Sequence, residues 1–152
     1  MMIDLGHALL GQLTERGHQT DKPQLLETHI SWVLLQGDFA WKIKKPIHLA
    51  FVDFSTLEKR KYFCEEEIRL NRRLAPDLYL EVVPVTGTLQ NPVLEGDGEP
   101  IDYAVKMKSF PQDRLLKTVA SQGKLPAQYM DQIAGTLANF HDVIAVAGPE
   151  SE

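Results

Sequence analysis

Hydrophobic and polar positions alternate most clearly between Phe39 and Lys44. In an extended chain Phe39, Trp41 and Ile43 point to one side, and Ala40, Lys42 and Lys44 to the other. The pattern predicts a strand with one apolar face and one face carrying a small residue and two ammonium groups. Gly37-Asp38 stands just before it, between two apolar-rich runs, and suits a two-residue hairpin turn with Gly at the first central position. From residue 55 the period changes. Ser55 and Glu58 have the spacing of a capping box, and a charged helix follows, running towards Leu74. Taking Leu57 as zero at 100° per residue, Cys64 falls near about 340°, Ile68 near about 20°, Phe63 near about 240°, Leu70 near about 220° and Leu74 near about 260°. Glu67 falls near about 280°, inside that apolar arc, whereas Glu65 and Glu66 lie outside it. A carboxylate on a core-facing stripe is costly to bury unless a cation meets it, and Lys42 on the neighbouring strand is the candidate.

The rest of the chain reads as short elements around this pair. Met2, Leu5, Leu9 and Leu13 recur at helical spacing, and Thr14 to Pro23 is a polar linker. Leu25 to Leu35 reads as two strands interrupted around Thr28-His29-Ile30-Ser31. Leu80 to Thr86 is a strand in which Pro84 implies an edge or a bulge. A short strand is expected at 91–95, a turn at 96–100, and a strand at 101–108 that alternates Ile101, Tyr103, Val105 and Met107 against Asp102, Ala104, Lys106 and Lys108. Two helices follow. One covers 112–122 and is closed by Gly123. The other covers about 126–143, opens at Pro126, and has Met130, Ile133, Leu137 and Phe140 on its apolar face. The last six residues, Ala-Gly-Pro-Glu-Ser-Glu, read as a frayed tail.

Composition adds limits. With 152 residues, 43% hydrophobic and 24% charged, the chain has the make-up of an ordinary globular domain with a modest core. A net charge of −5 argues against a general nucleic-acid binder, though Lys42, Lys44 and Lys45 or Arg69, Arg72 and Arg73 could make local basic patches. The single cysteine, Cys64, lies on the helix stripe and reads as core rather than as a reactive thiol. The first residues have no positive n-region or long apolar h-region, and no run approaches a membrane span, so a cytoplasmic protein without a membrane segment is expected.

A strand with Ala-x-Lys followed by a helix with an inward Glu has the form of the phosphate-anchoring pair of kinase-like folds. Longer stretches extend the match: Glu27 to Val33, Ala40-Trp-Lys-Ile-Lys-Lys-Pro46, Phe54-Ser-Thr-Leu-Glu58, Cys64 to Leu80 and Tyr103-Ala-Val-Lys-Met107. Over roughly residues 20–145 the chain resembles the bacterial bifunctional aminoglycoside phosphotransferase-like/ATP-binding proteins, in which a kinase-like domain is joined to a P-loop ATPase. The resemblance implies an α+β fold: a kinase-like N-terminal lobe with an antiparallel sheet of about five strands and one packed helix, then the first helices of a second lobe. The implied organisation is 1–23 N-terminal helix and linker, 24–111 kinase-like lobe and 112–152 truncated start of the second lobe. ATP is the implied cofactor, with Mg expected only in a longer parent. Lys42 would hold its phosphates, Glu67 would fix Lys42, and Ala40 would line the adenine. Ser31 would offer a hydroxyl and an N–H in a turn that holds no glycine. Met107 to Phe110 would be the hinge against the adenine edge, with Met107 as plain core the equal alternative.

Other polar residues read as structural. His29 is a surface or satisfied histidine, His141 is structural, and Lys44 and Lys45 form a solvated strand end rather than a phosphate-steering pair. No catalytic or metal-binding residue is assigned: the chain holds no His-x-Asp…Asn loop, and Gly123-Lys124-Leu125 lacks the earlier Gly and the following Ser/Thr of a P-loop. The function implied is the ATP-binding lobe of a phosphotransferase, inactive alone. The alternative is a non-enzymatic adaptor domain in which Lys42–Glu67 is only a structural ion pair. The 126–143 helix is expected either to fold back on Leu5, Leu9 and Leu13 or to mediate self-association.

Overall fold

The computed structural model describes residues 4–16 and 22–146. Met2, the 17–21 part of the linker and the 147–152 tail lie outside the described residues. The chain divides into two compact units, one running to Ser109 and the other from Phe110.

The first unit is α+β, with elements α1 (Leu5–Arg16), β1 (Gln24–Glu27), β2 (Ser31–Gln36), β3 (Phe39–Lys44), β4 (His48–Leu49), β5 (Val52–Asp53), α2 (Leu57–Asn71), β6 (Tyr79–Gly87), β7 (Pro92–Leu94) and β8 (Asp102–Lys108). Six strands form one antiparallel sheet in the order β1-β2-β3-β8-β6-β7, and β4-β5 is a separate hairpin. The sheet therefore has six strands rather than about five. The Thr28–Ser31 interruption closes a complete β1–β2 hairpin, and the three-residue β7 also pairs. The two-residue strands β4 and β5 are too short to show any period, so their sequence reads as a spacer.

The β2–β3 turn follows the expected chemistry. Gln36 pairs with Phe39 across Gly37-Asp38, and Gly37 takes φ 57, the left-handed region that glycine adopts without steric cost. Pro84 sits inside β6, but β7 covers only Val85–Gly87, so the flank of β6 beside Pro84 has no strand. Its carbonyl accepts from Glu95 N–H on that flank, and the missing Pro84 N–H therefore interrupts no ladder bond. The register shift of β6 falls at Tyr79/Glu81 instead.

A helix lies on each face of the sheet. On one face α1 buries Leu5 and Leu9 against Trp32, Leu34, Trp41, Ile43, Val83, Val85 and Ala104, with Leu13 packed at the margin. The Leu5, Leu9 and Leu13 stripe thus packs against the sheet of its own unit. α1 lies within the first unit. At Gly6 an added Cβ would lie 2.5 Å from Trp32 Cγ, so the helix backbone rests directly on the indole. On the other face α2 packs Cys64 and Ile68 onto Val105, flanked by Tyr79, Val82, Tyr103 and Met107.

The start of α2 is displaced by one residue from the expected capping box. Thr56 is the N-cap and accepts from Lys59 N–H at 3.3 Å. Ser55 is engaged by Asp53, whose Oδ1 accepts both its N–H (3.0 Å) and its hydroxyl (2.6 Å).

In the second unit the expected 112–122 helix is split. A 3-10 turn at Gln112–Arg114 is followed by α3 (Leu116–Ser121), because Leu115 is extended at φ −59, ψ 133. Gly123 at φ 66 follows α3. Pro126 caps α4 (Ala127–Val143) at its N-terminus. Met130, Ile133 and Leu137 on α4 remain exposed. No helix among the described residues is long and apolar enough to cross a membrane.

Candidate functional site

β3 supplies the cations of the site and α2 the anion. Because β3 alternates, Ala40, Lys42 and Lys44 share the face on which α2 lies, while Trp41 and Ile43 enter the α1 core. Lys42 Nζ donates to Glu67 Oε1 at 2.8 Å, and Lys44 Nζ donates to Glu67 Oε2 at 2.7 Å. Glu67 is thus the inward carboxylate of the helix, and Lys42 its partner as the sequence pattern requires. Glu66 pairs instead with Arg69, and Glu65 faces Lys61. Burial works to raise the Glu67 carboxyl, but the Lys44 and Lys42 ammoniums outweigh it and hold it below its ordinary value.

The two lysines differ in exposure. The Lys42 side chain is 31% exposed and the Lys44 side chain 7%. Lys44 also lies over the Phe54 ring, 5.0 Å from its centroid. This corrects its reading as a solvated strand end: the alternation of β3 carries it under α2, not into water. Lys45, on the opposite side, pairs with Glu27 at 2.5 Å and with the Thr28 carbonyl at 2.7 Å. Of the three N–H groups of Lys42, one is donated to Glu67, so among the described residues two remain for another acceptor.

The cross-strand register places an apolar strip beside that free end. Val33 is opposite Lys42, Leu35 is opposite Ala40, and Leu26 is opposite Val33. Met107 faces Ala40 from the other side. Val33 and Leu35 stay half-buried and Leu26 is exposed, while Ala40 is buried. Val33 and Leu35 were not singled out from the sequence. The two-residue Gly37-Asp38 turn fixes this register, and it was the signal that could have found them.

Three other expected site residues take different places. Ser31 is opposite Lys44 but is 2% exposed, and both its N–H and its hydroxyl engage Thr28 Oγ1, at 3.0 and 2.9 Å. Its polar groups thus close the β1–β2 turn. Met107 lies inside the ladder between Ala40 and Tyr79, and its side chain packs with Cys64, Ile68 and Val105, so its place is in the core. Phe110 is exposed and belongs to the second unit.

A second buried ion pair on the α2 face was not anticipated. Arg60 Nε donates to both carboxylate oxygens of Asp102 at 2.9 and 3.0 Å, and Nη1 donates to the Phe54 carbonyl at 3.1 Å. Arg60 falls near about 300° on the helical wheel, between Glu67 and Cys64, so its place in the buried arc was legible. Burial pushes the Asp102 carboxyl up despite the guanidinium. Cys64 is fully buried and its thiol is pushed up to about 12, mainly by burial, consistent with core packing and not with a reactive thiolate. Tyr79, raised by burial and by the Glu67 charge, borders the pair from β6.

Curated proteins similar to this chain are uncharacterized proteins of Mycobacterium bovis and of two strains of Mycobacterium tuberculosis, each 37% identical over 124 residues. The match takes in 80% of this chain and 23% of each relative, so the chain spans about a quarter of the length of the curated relatives it matches. No family model matches the chain, and no solved structure matches it.

Proposed function

We propose that the first unit is the nucleotide-binding lobe of a kinase-like phosphotransferase of the aminoglycoside phosphotransferase-like class. What supports it is the Lys42–Glu67 pair: a strand lysine anchored at 2.8 Å to a helix carboxylate, with two N–H groups left over. The residues present fit a nucleoside triphosphate. Lys42 would donate to phosphate oxygens, Glu67 would hold the ammonium in place, and the strip of Val33, Leu35 and Ala40 would receive an apolar base. ATP bound there would supply the phosphoryl group. Titration calorimetry of the 152-residue chain with Mg-ATP tests this reading. The expected result is saturable binding that weakens at least about tenfold in Lys42→Met, the loss of one charge-assisted contact. Absence of binding, or equal binding by Lys42→Met, overturns it.

A second reading, a partner-binding domain on the same scaffold, is favoured by the exposed α4 face of Met130, Ile133 and Leu137. Its partner would be another protein or a second copy of the chain. Light scattering on the chain and on the Ile133→Asp/Leu137→Asp double variant tests the second-copy form: a larger particle for the wild type alone supports it, and equal monomeric masses exclude it.

A further inference from the structure

We propose that Lys44 is the residue that keeps Glu67 and the α2 helix docked when the Lys42 ammonium shares its charge with a phosphate. The proposal rests on the phosphate-binding reading of Lys42 and adds a positioning residue to it.

Glu67 gives one oxygen to each lysine, Oε1 to Lys42 at 2.8 Å and Oε2 to Lys44 at 2.7 Å. In a lone Lys–Glu pair, a phosphate beside the lysine offsets much of the counter-charge of a carboxylate that is 11% exposed. A buried carboxylate without a cation either takes up a proton or leaves the interior. Here the second ammonium stays. Lys44 lies between α2 and the Phe54 ring, 5.0 Å from its centroid, and among the described residues its polar partner is Glu67. Lys42 is the more exposed of the two and retains unused N–H groups. The groups that face Glu67 are Lys42 and Lys44 from β3, Tyr79 from β6, and Cys64 from α2 itself. Tyr79 and Cys64 are both shifted upward and stay neutral near pH 7, so when a phosphate shares the Lys42 charge the remaining counter-charge falls to Lys44. The Lys-x-Lys spacing is what brings both ammoniums to one carboxylate.

The test is an NMR titration of the Glu67 carboxyl carbon in the full 152-residue chain, in the wild type, Lys42→Met, Lys44→Met and Lys44→Arg. Lys42→Met is expected to leave Glu67 titrating below the ordinary glutamate range. Lys44→Met is expected to raise its proton affinity at least about tenfold, and Lys44→Arg to restore it. Mg-ATP affinity is expected to fall about tenfold in Lys44→Met at pH 7, to fall further at pH 6 as Glu67 protonates, and to recover in Lys44→Arg. An upward shift of Glu67 in Lys42→Met as large as that in Lys44→Met overturns the proposal, as does failure of Lys44→Arg to restore it. If Lys44→Met does not fold, the Lys42→Met titration decides alone, because a marked upward shift there overturns the proposal and its absence supports it. If the wild type binds no Mg-ATP, the nucleotide reading falls, while the carboxyl titration still decides which lysine holds α2.

Discussion

Trp41 and Ile43 leave β3 on one side, Lys42 and Lys44 on the other, and the two sides of the sheet are held together by different physics. Against α1 the buried core is apolar: Leu5, Leu9, Trp32, Leu34, Trp41 and Ile43 bury together, and Gly6 lets the helix backbone reach the indole. Against α2 a short apolar seam of Cys64, Ile68 and Val105 is flanked by two charged assemblies, Lys42–Glu67–Lys44 and Arg60–Asp102. Apolar burial is non-directional and tolerates small displacement. A buried ion pair fixes one geometry and is costly to leave half-made. The α1 face therefore supplies stability, and the α2 face supplies a defined position for charge. A site that must present an ammonium to a ligand belongs on the second face.

The largest effect expected on this contrast comes from Asp102→Ala. It leaves the Arg60 guanidinium buried without its carboxylate and is expected to destabilise by about 3–5 kcal/mol in urea unfolding. The Arg60→Met/Asp102→Leu double variant removes both charges and is expected to recover most of that loss. A single variant as stable as the wild type would mean that the pair does not organise this face.

On the opposite face Leu9→Ala is expected to cost about 2–5 kcal/mol by opening a cavity against the sheet. That cost should be the same at pH 4 and pH 8, because no charge is involved. A loss that varies with pH would break the distinction between the faces.

Glu67→Gln sharpens it through pH. The folded-state carboxyl lies below its ordinary value of 4.5, so its stabilisation is fully present above that value and is lost as pH falls through the lower, folded value. At neutral pH the variant is expected to be about 1.5–3 kcal/mol less stable, the scale of a hydrogen bond to a charged group. The difference should shrink as the wild type is acidified below about pH 4.5. Parallel stability curves for the two proteins down to pH 2 would exclude the pair as a source of acid sensitivity.

The smallest effect expected is that of Gly6→Ala. The added methyl meets Trp32 Cγ at 2.5 Å, and overpacking of this kind costs about 1–3 kcal/mol. Thermal unfolding checks it, and a neutral or stabilising result would show that the α1 face yields more readily than its packing implies.

Local order was legible along the chain: the alternation of β3, the Gly37 turn, the amphipathic arc of α2 and the inward place of Glu67. Each is set by periods of two or 3.6 residues and by turn chemistry within a few positions of the chain. The pairing of Lys42 with Glu67 was legible for the same reason, since an inward carboxylate needs a cation and β3 offers one. How far each charge is buried, and what it meets, came from packing alone. Lys44 reads as a strand-end lysine until α2 covers it, Ser31 reads as a donor until Thr28 takes both its groups, and Asp102 gives no sign of Arg60, 42 residues away in sequence. The strip of Val33 and Leu35 depends on the register of three strands, and the two-residue strands β4 and β5 have no period to read. Burial and long-range pairing are properties of the packed chain: they depend on which surfaces exclude water together, and no window of neighbouring residues contains that information.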